Sequence, residues 1–133
     1  KLAAAVGEFP EDARPRLGEM WRSGRSLDNI DHNLAGIAAI VRGGPDGDRF
    51  VAVLRGSAGA PGVADDLVAA LDRARSLADS LAGTPMAAAA QAGAPRDDLV
   101  ALTTAVGALR TVWEGPVGAA LDLRVGFNSM DGD

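Results

Sequence analysis

The sequence predicts an all-α protein that folds as an antiparallel helical bundle. In three separate stretches, apolar side chains recur at alternating steps of three and four residues, a spacing that lines them up along one face of an α-helix. Glycine and proline follow each stretch, as expected where helices end or bend. Helices of about four to five turns, joined by loops rich in these residues, favour antiparallel neighbours in one bundle.

The composition excludes several classes of function. The chain has 133 residues, and 13 Lys+Arg against 18 Asp+Glu give a net charge of -5, which argues against nucleic acid as the main partner. The absence of cysteine excludes zinc–thiolate sites and cysteine nucleophiles, and a single histidine excludes a multi-histidine metal site made by this chain alone. No stretch approaches the roughly 18 to 20 apolar residues that a transmembrane segment needs.

The N-terminal part of the chain carries two weaker helical signals. Residues 1–6 resemble a helix that lacks a capping residue before it, so we expect further chain upstream. A second helix is predicted over residues 12–21, with Leu17, Met20 and Trp21 as its apolar positions.

The first strongly periodic stretch covers residues 26–42. Ser26 precedes the stripe as a candidate N-cap, and Asp28 lies in the first turn, where a negative charge suits the helix dipole. Gly43 follows the last apolar position and is expected to end the helix. The stripe consists of Leu27, Ile30, Leu34, Ile37 and Val41.

Two further stripes predict the other long helices. The first comprises Leu67, Leu71, Ala74, Ala78 and Leu81. The second comprises Leu99, Leu102, Val106, Leu109 and Trp113. Because Gly115 and Pro116 interrupt this second pattern and Val117 resumes it, we predict a kink or a short break there, and not the end of the helix. One short helix is expected at residues 49–54 and another within residues 84–95.

The densest group of polar side chains lies at the start of the 26–42 helix and comprises Arg25, Asp28, Asn29 and His32. Asp28 and His32 are four residues apart, so the carboxylate can meet the imidazole on one helix face, which suits proton transfer or metal binding. The alternative is an ordinary solvated helix pair. A transition metal would need ligands from outside the chain, because one histidine and nearby carboxylates do not complete its coordination shell.

The C-terminal residues 126–133 form the second candidate feature. Asp131 and Asp133 resemble the start of a calcium loop, but no ligands follow them, so an EF-hand is excluded. The segment is either a frayed acidic end or a tail held on the bundle by Phe127 and Met130. We expect the second arrangement, with residues 1–125 forming the helical bundle and residues 126–133 docked on it.

Two sequence runs resemble the imelysin-like family of bacterial envelope proteins. The runs are RSLDN at 25–29, followed by NLAGI at 33–37, and VGFNSMDGD at 125–133. The resemblance implies a fold of two helical-bundle halves, of which this chain would be the C-terminal one. It also implies a protein, often a lipoprotein, in the periplasm or outer cell envelope and linked to iron uptake. The family is classed as a metallopeptidase for a G-x-H-x-x-E motif, and this sequence does not contain that motif, so enzyme activity cannot be assigned to these residues.

The resemblance favours one function and leaves two alternatives open. The favoured function is binding of iron, another divalent metal or an iron-bearing ligand at the junction with the N-terminal half, which would supply most ligands. Asp28 and Asn29 match the family run and would line that junction, whereas Arg25 and His32 are included by their position only. The alternatives are a metal-dependent peptidase whose motif lies in the N-terminal half, and a helical scaffold or interaction module without a ligand.

Overall fold

The computed structural model of the chain describes residues 1–43, 49–57 and 62–122. Over these ranges the protein is helical and contains no β-strand, which confirms the predicted all-α bundle. The predicted docked tail, residues 126–133, lies outside the described residues. The helices are α1 Leu2–Val6, α2 Ser26–Arg42, α3 Arg49–Gly56, α4 Val63–Ser80, α5 Met86–Ala89, α6 Ala94–Val112 and α7 Gly118–Ala120.

Helix α4 forms the centre of the bundle and packs against both α2 and α6. All five positions of its predicted stripe are buried: Leu67, Leu71, Ala74, Ala78 and Leu81. At the end of α4, Ser80 Oγ donates to Asp98 Oδ2 over 3.3 Å, and Asp98 lies near the start of α6. These two helices therefore run antiparallel, as the sequence predicts.

Helix α2 presents the predicted stripe to the core, but it begins differently from the prediction. Leu27, Leu34 and Val41 are buried, and Gly43 ends the helix with a φ of 68°. Arg25, and not Ser26, occupies the N-cap position, and it makes no side-chain capping bond. The N-cap prediction was wrong because the buried Ser26 hydroxyl donates to the Glu19 carbonyl and is not available to cap the helix.

Helix α6 continues past its glycine and proline, which confirms the predicted interruption. A π-helical turn covers Trp113–Val117 and contains Pro116, after which α7 follows. Proline has no N–H to donate to the preceding turn, and the wider turn accommodates this loss while the chain stays helical. Val117, just after the proline, is buried, so the interruption keeps the apolar pattern facing the core.

The segment between α1 and α2 is not the predicted helix. Residues 12–21 are instead divided among three short 3-10 helices, Pro10–Asp12, Pro15–Leu17 and Trp21–Ser23, and the turns that join them. Pro15 starts a new turn inside the predicted range, and Met20 adopts a left-handed backbone with a φ of 57°, which a continuous helix does not allow.

The two short predicted helices are confirmed. Helix α3 forms from a β-prone sequence that is also compatible with a strand, and it buries Val51 and Leu54. Helix α5 contains only one full turn and buries Met86 and Ala89. Both helices add apolar side chains to the core formed by the three long ones.

A buried arginine joins the N-terminal segment to α6. Arg96 is 6% exposed, and it donates from Nη1 to the carbonyls of Val6 at 3.1 Å and Ala90 at 3.2 Å. Its Nη2 donates to the carbonyls of Gly7 at 3.2 Å and Glu8 at 3.1 Å. One guanidinium thus satisfies backbone acceptors at the end of α1, where its positive charge also suits the helix dipole.

Replacing Arg96 is expected to destabilise the fold strongly. Arg96→Ala leaves four carbonyl groups without their charged donor and opens space in the core, so we expect the free energy of unfolding to fall by about 2 to 4 kcal/mol. Arg73→Ala is the matched control, because Arg73 is exposed on α4, and its effect should stay within about 0.5 kcal/mol. Urea unfolding followed by circular dichroism measures both values, and equal effects would contradict the role given to Arg96.

Candidate functional site

The four predicted site residues lie together on the protein surface. Arg25, Asp28, Asn29 and His32 line one shallow cleft of about 210 Å³, which Met20 borders from the segment before α2. We call this feature the α2 cleft. Asp28 and Asn29 are consecutive on α2, His32 follows one helical turn later, and Arg25 precedes the helix directly, so local helix geometry alone brings the four together.

The Asp28 carboxylate is paired with a guanidinium. Arg25 Nε donates to Asp28 Oδ2 over 3.1 Å, and the two side chains are 62% and 29% exposed. An ion pair this exposed contributes little to stability. Its effect is local, since it holds the arginine and the carboxylate side by side at the cleft.

The expected contact between the Asp28 carboxylate and the His32 imidazole is not made. His32 Nδ1 lies instead 2.6 Å from the backbone carbonyl oxygen of Asp28. A carbonyl oxygen can only accept a hydrogen bond, so Nδ1 carries the proton in the neutral ring and Nε2 keeps a lone pair. The predicted carboxylate–imidazole relay therefore has no basis in the geometry, while Nε2 remains a potential acceptor or ligand.

Glu19 is a residue of the site region that sequence reasoning missed. Its carboxylate Oε2 accepts a bond from Asn29 Nδ2 at 3.3 Å, and its backbone carbonyl accepts the Ser26 hydroxyl. A Cβ on the adjacent Gly18 would lie 2.9 Å from Met86 Sδ, so glycine allows this close approach. Glu19 lies in the segment expected to be helical, and no sequence signal links it to a partner ten residues away.

The cleft does not provide a complete metal site. Within residues 1–43, 49–57 and 62–122, no group of three His, Cys, Asp or Glu side chains comes together as a metal shell. The positive charge of Arg25 beside Asp28 also opposes a bare cation. Iron or another divalent metal held here would therefore need most of its ligands from elsewhere.

The segment before α2 leaves four large apolar side chains exposed, and one of them, Met20, lines the cleft. The four are Phe9, Leu17, Met20 and Trp21, and we call them the 9–21 surface. The guanidinium carbons of Arg16 and Arg22 lie 5.6 and 5.4 Å from the centre of the Trp21 ring, within cation–π distance. Several large apolar side chains that remain exposed in one short segment indicate a surface that binds a protein segment or another ligand.

Comparison with known proteins gives one match. A family model described as Imelysin, a peptidase family, matches residues 1–112, which include RSLDN and NLAGI at the α2 cleft but not the run at 125–133. Neither the curated proteins nor the solved structures contain a match. None of the helices in the described part of the chain has both the length and the hydropathy of a membrane-spanning helix.

The hydrogen bond of His32 predicts one tautomer of its ring. In the neutral imidazole the proton should reside on Nδ1, because the Asp28 carbonyl holds it there. Since His32 is the single histidine of the sequence, its two ring nitrogens can be assigned directly in a ¹⁵N–¹H correlation spectrum of the chain. A neutral ring protonated mainly on Nε2 would contradict the geometry of the cleft.

Proposed function

The chain belongs to the imelysin family, and on this premise we propose that it is the C-terminal half of a longer protein that binds an iron-bearing ligand for bacterial iron uptake. The ligand would lie between the α2 cleft and the N-terminal half, which would provide the remaining contacts. The proposal includes a location in the periplasm or outer cell envelope, where a protein of this kind would meet its ligand.

The observation that carries the proposal is the position of the cleft beside an unpartnered apolar surface. Asp28 and Asn29 are half-buried, and Met20 belongs to both the cleft and the 9–21 surface. A second helical segment that covered Met20 and Trp21 would therefore enclose the cleft from one side. Polar groups at the edge of such a junction become shielded from water, which strengthens their interactions with a ligand.

The polar groups of the cleft favour an anionic chelate over a bare metal ion. Among the described residues, Arg25 uses only Nε for Asp28, which leaves its terminal N–H groups for a carboxylate oxygen of the ligand. Asn29 Oδ1 and His32 Nε2 add two acceptors, because Nδ2 and Nδ1 are the atoms that bond within the protein. A ferric polycarboxylate complex offers both the oxygens and the hydroxyl groups that this set would recognise.

Titration of the full-length protein with ferric citrate tests the proposal. Asp28→Ala and Asn29→Ala should each weaken binding about tenfold, the effect of losing one hydrogen bond that involves a charged or well-ordered group. Arg25→Ala should weaken binding of ferric citrate but not of ferrous iron added alone, since the guanidinium recognises the anionic chelate.

The pair formed by Arg42 and Asp72 provides the matched control. It is also an exposed arginine–aspartate pair, and it lies away from the cleft, between α2 and α4. Arg42→Ala and Asp72→Ala should leave the affinity for ferric citrate unchanged. If Asp28→Ala and Asn29→Ala also leave it unchanged, the cleft is not part of the site, and a scaffold without a ligand becomes the better description.

The family description as a peptidase supports one other function, a metal-dependent peptidase completed by the N-terminal half. The buried Ser26 hydroxyl donates its proton to the Glu19 backbone carbonyl and not to a basic side chain, so this hydrogen bond does not activate Ser26 as a nucleophile. We expect the full-length protein to show no peptide cleavage that a chelator abolishes. Such cleavage in a mixed peptide library, lost on chelation and restored by metal, would favour the peptidase.

A further inference from the structure

An apolar groove lies at the opposite end of α2 from the cleft. Its volume is about 380 Å³, and the C-terminal halves of α2 and α6 form its walls. We call it the α2–α6 groove. Ile40 is 64% exposed there and Trp113 is 36% exposed, which is unusual for side chains of this size. Its apolar lining consists of Leu34, Ile37, Ile40, Val106, Leu109 and Trp113.

The walls of the groove are held in place by contacts outside it. The Trp113 ring stacks on Phe50 of α3, with centroids 5.6 Å apart and an angle of 5° between the planes. At the rim, Arg110 Nε donates a hydrogen bond to Glu114 Oε1 over 2.7 Å, so these two charged side chains form an ion pair with each other. The groove therefore offers apolar surface to an occupant, and an apolar occupant fits it best.

We propose that the C-terminal tail of this chain, residues 123–133, occupies the α2–α6 groove. The described chain ends at Asp122, nine residues after Trp113 of the groove. Asp122 has a φ of 50°, a left-handed conformation that ends a helix and turns the chain away from the helix axis. The chain thus leaves α7 near the groove with its direction changed.

The tail has the length and the side chains that the groove requires. Its eleven residues can span up to about 36 Å when extended, whereas the stretch of α6 from Val106 to Trp113 is only about 10 Å long. The tail carries four large apolar side chains, Leu123, Val125, Phe127 and Met130, among small and polar residues. Burying them against Ile40 and Trp113 removes apolar surface of both partners from water.

Disulfide trapping tests this placement, because the chain has no cysteine of its own. In the full chain, Ile40→Cys combined with Ser129→Cys should form an intramolecular disulfide under mild oxidation, since a disulfide needs the two Cα atoms within about 7 Å. Val100→Cys combined with Ser129→Cys is the control, because Val100 is also exposed, at 41%, but lies outside the groove, nearer the start of α6. The control pair should stay reduced. Equal trapping of both pairs, or of neither, would overturn the proposal.

The accessibility of Trp113 gives an independent measurement on the same chain. With Trp21→Phe as background, Phe127→Ala together with Met130→Ala should shift the Trp113 emission to the red and raise its quenching by acrylamide. Asn128→Ala together with Ser129→Ala, which keeps the apolar anchors, should change neither.

Acrylamide quenching of Trp113 that stays the same when Phe127 and Met130 are replaced by alanine would overturn the proposal. Two further results together would also overturn it: shielding of Trp113 that increases with protein concentration, and disulfides that form between molecules. Both would show that a second copy of the chain occupies the groove.

Discussion

The arrangement of the N-terminal third of this protein depends on one buried guanidinium. Arg96 belongs to α6, yet three of its four acceptors are the consecutive carbonyls of Val6, Gly7 and Glu8. These carbonyls follow a helix of only five residues, which has little stability of its own. Gly7 adopts a φ of 70°, and a Cβ there would lie 2.7 Å from the Asp12 backbone, so the chain can turn back tightly at this point. The guanidinium of Arg96 donates the hydrogen bonds that these three carbonyls would otherwise accept from backbone N–H groups in a helix or sheet.

The candidate site follows from this anchoring. Helix α1 packs against α6, and the 3-10 helix Pro15–Leu17 packs on α1 and on the next 3-10 helix, Trp21–Ser23, which leads into α2. The segment then contacts α2 at Glu19, whose backbone carbonyl and carboxylate accept bonds from Ser26 and Asn29. Met20 is thereby placed at the rim of the α2 cleft. A site that looks local in sequence is therefore completed by the segment before α2, and Lys1 and Leu2 at the start of the chain line a neighbouring pocket together with Glu19 and Asn29.

The long helices could be predicted from the sequence because their burial is periodic. The stripe of α4 is buried at every predicted position, and the interruption at Pro116 follows from a missing N–H. The role of Arg96 could not be predicted in this way, because nothing in the sequence around one arginine indicates that three of its four partners are backbone carbonyls about ninety residues away. The 12–21 prediction failed for a related reason. Leu17, Met20 and Trp21 have helical spacing, but they remain exposed, and apolar spacing predicts a helix only where the chain buries that face.

At the candidate site, the sequence indicated which residues would be neighbours but not how they would bond. Helix geometry brings Asp28, Asn29 and His32 together, whereas the choice of a carbonyl over a carboxylate as the partner of His32 depends on side-chain rotamers and on Arg25. The proposed binding mode requires that the cleft and the 9–21 surface face a second segment of the same protein. Hydroxyl-radical footprinting tests this most directly, by comparing oxidation of Met20 and Trp21 in the full-length protein and in this 133-residue chain. We expect strong protection of both side chains in the full-length protein, and equal oxidation in the two proteins would contradict the proposed interface.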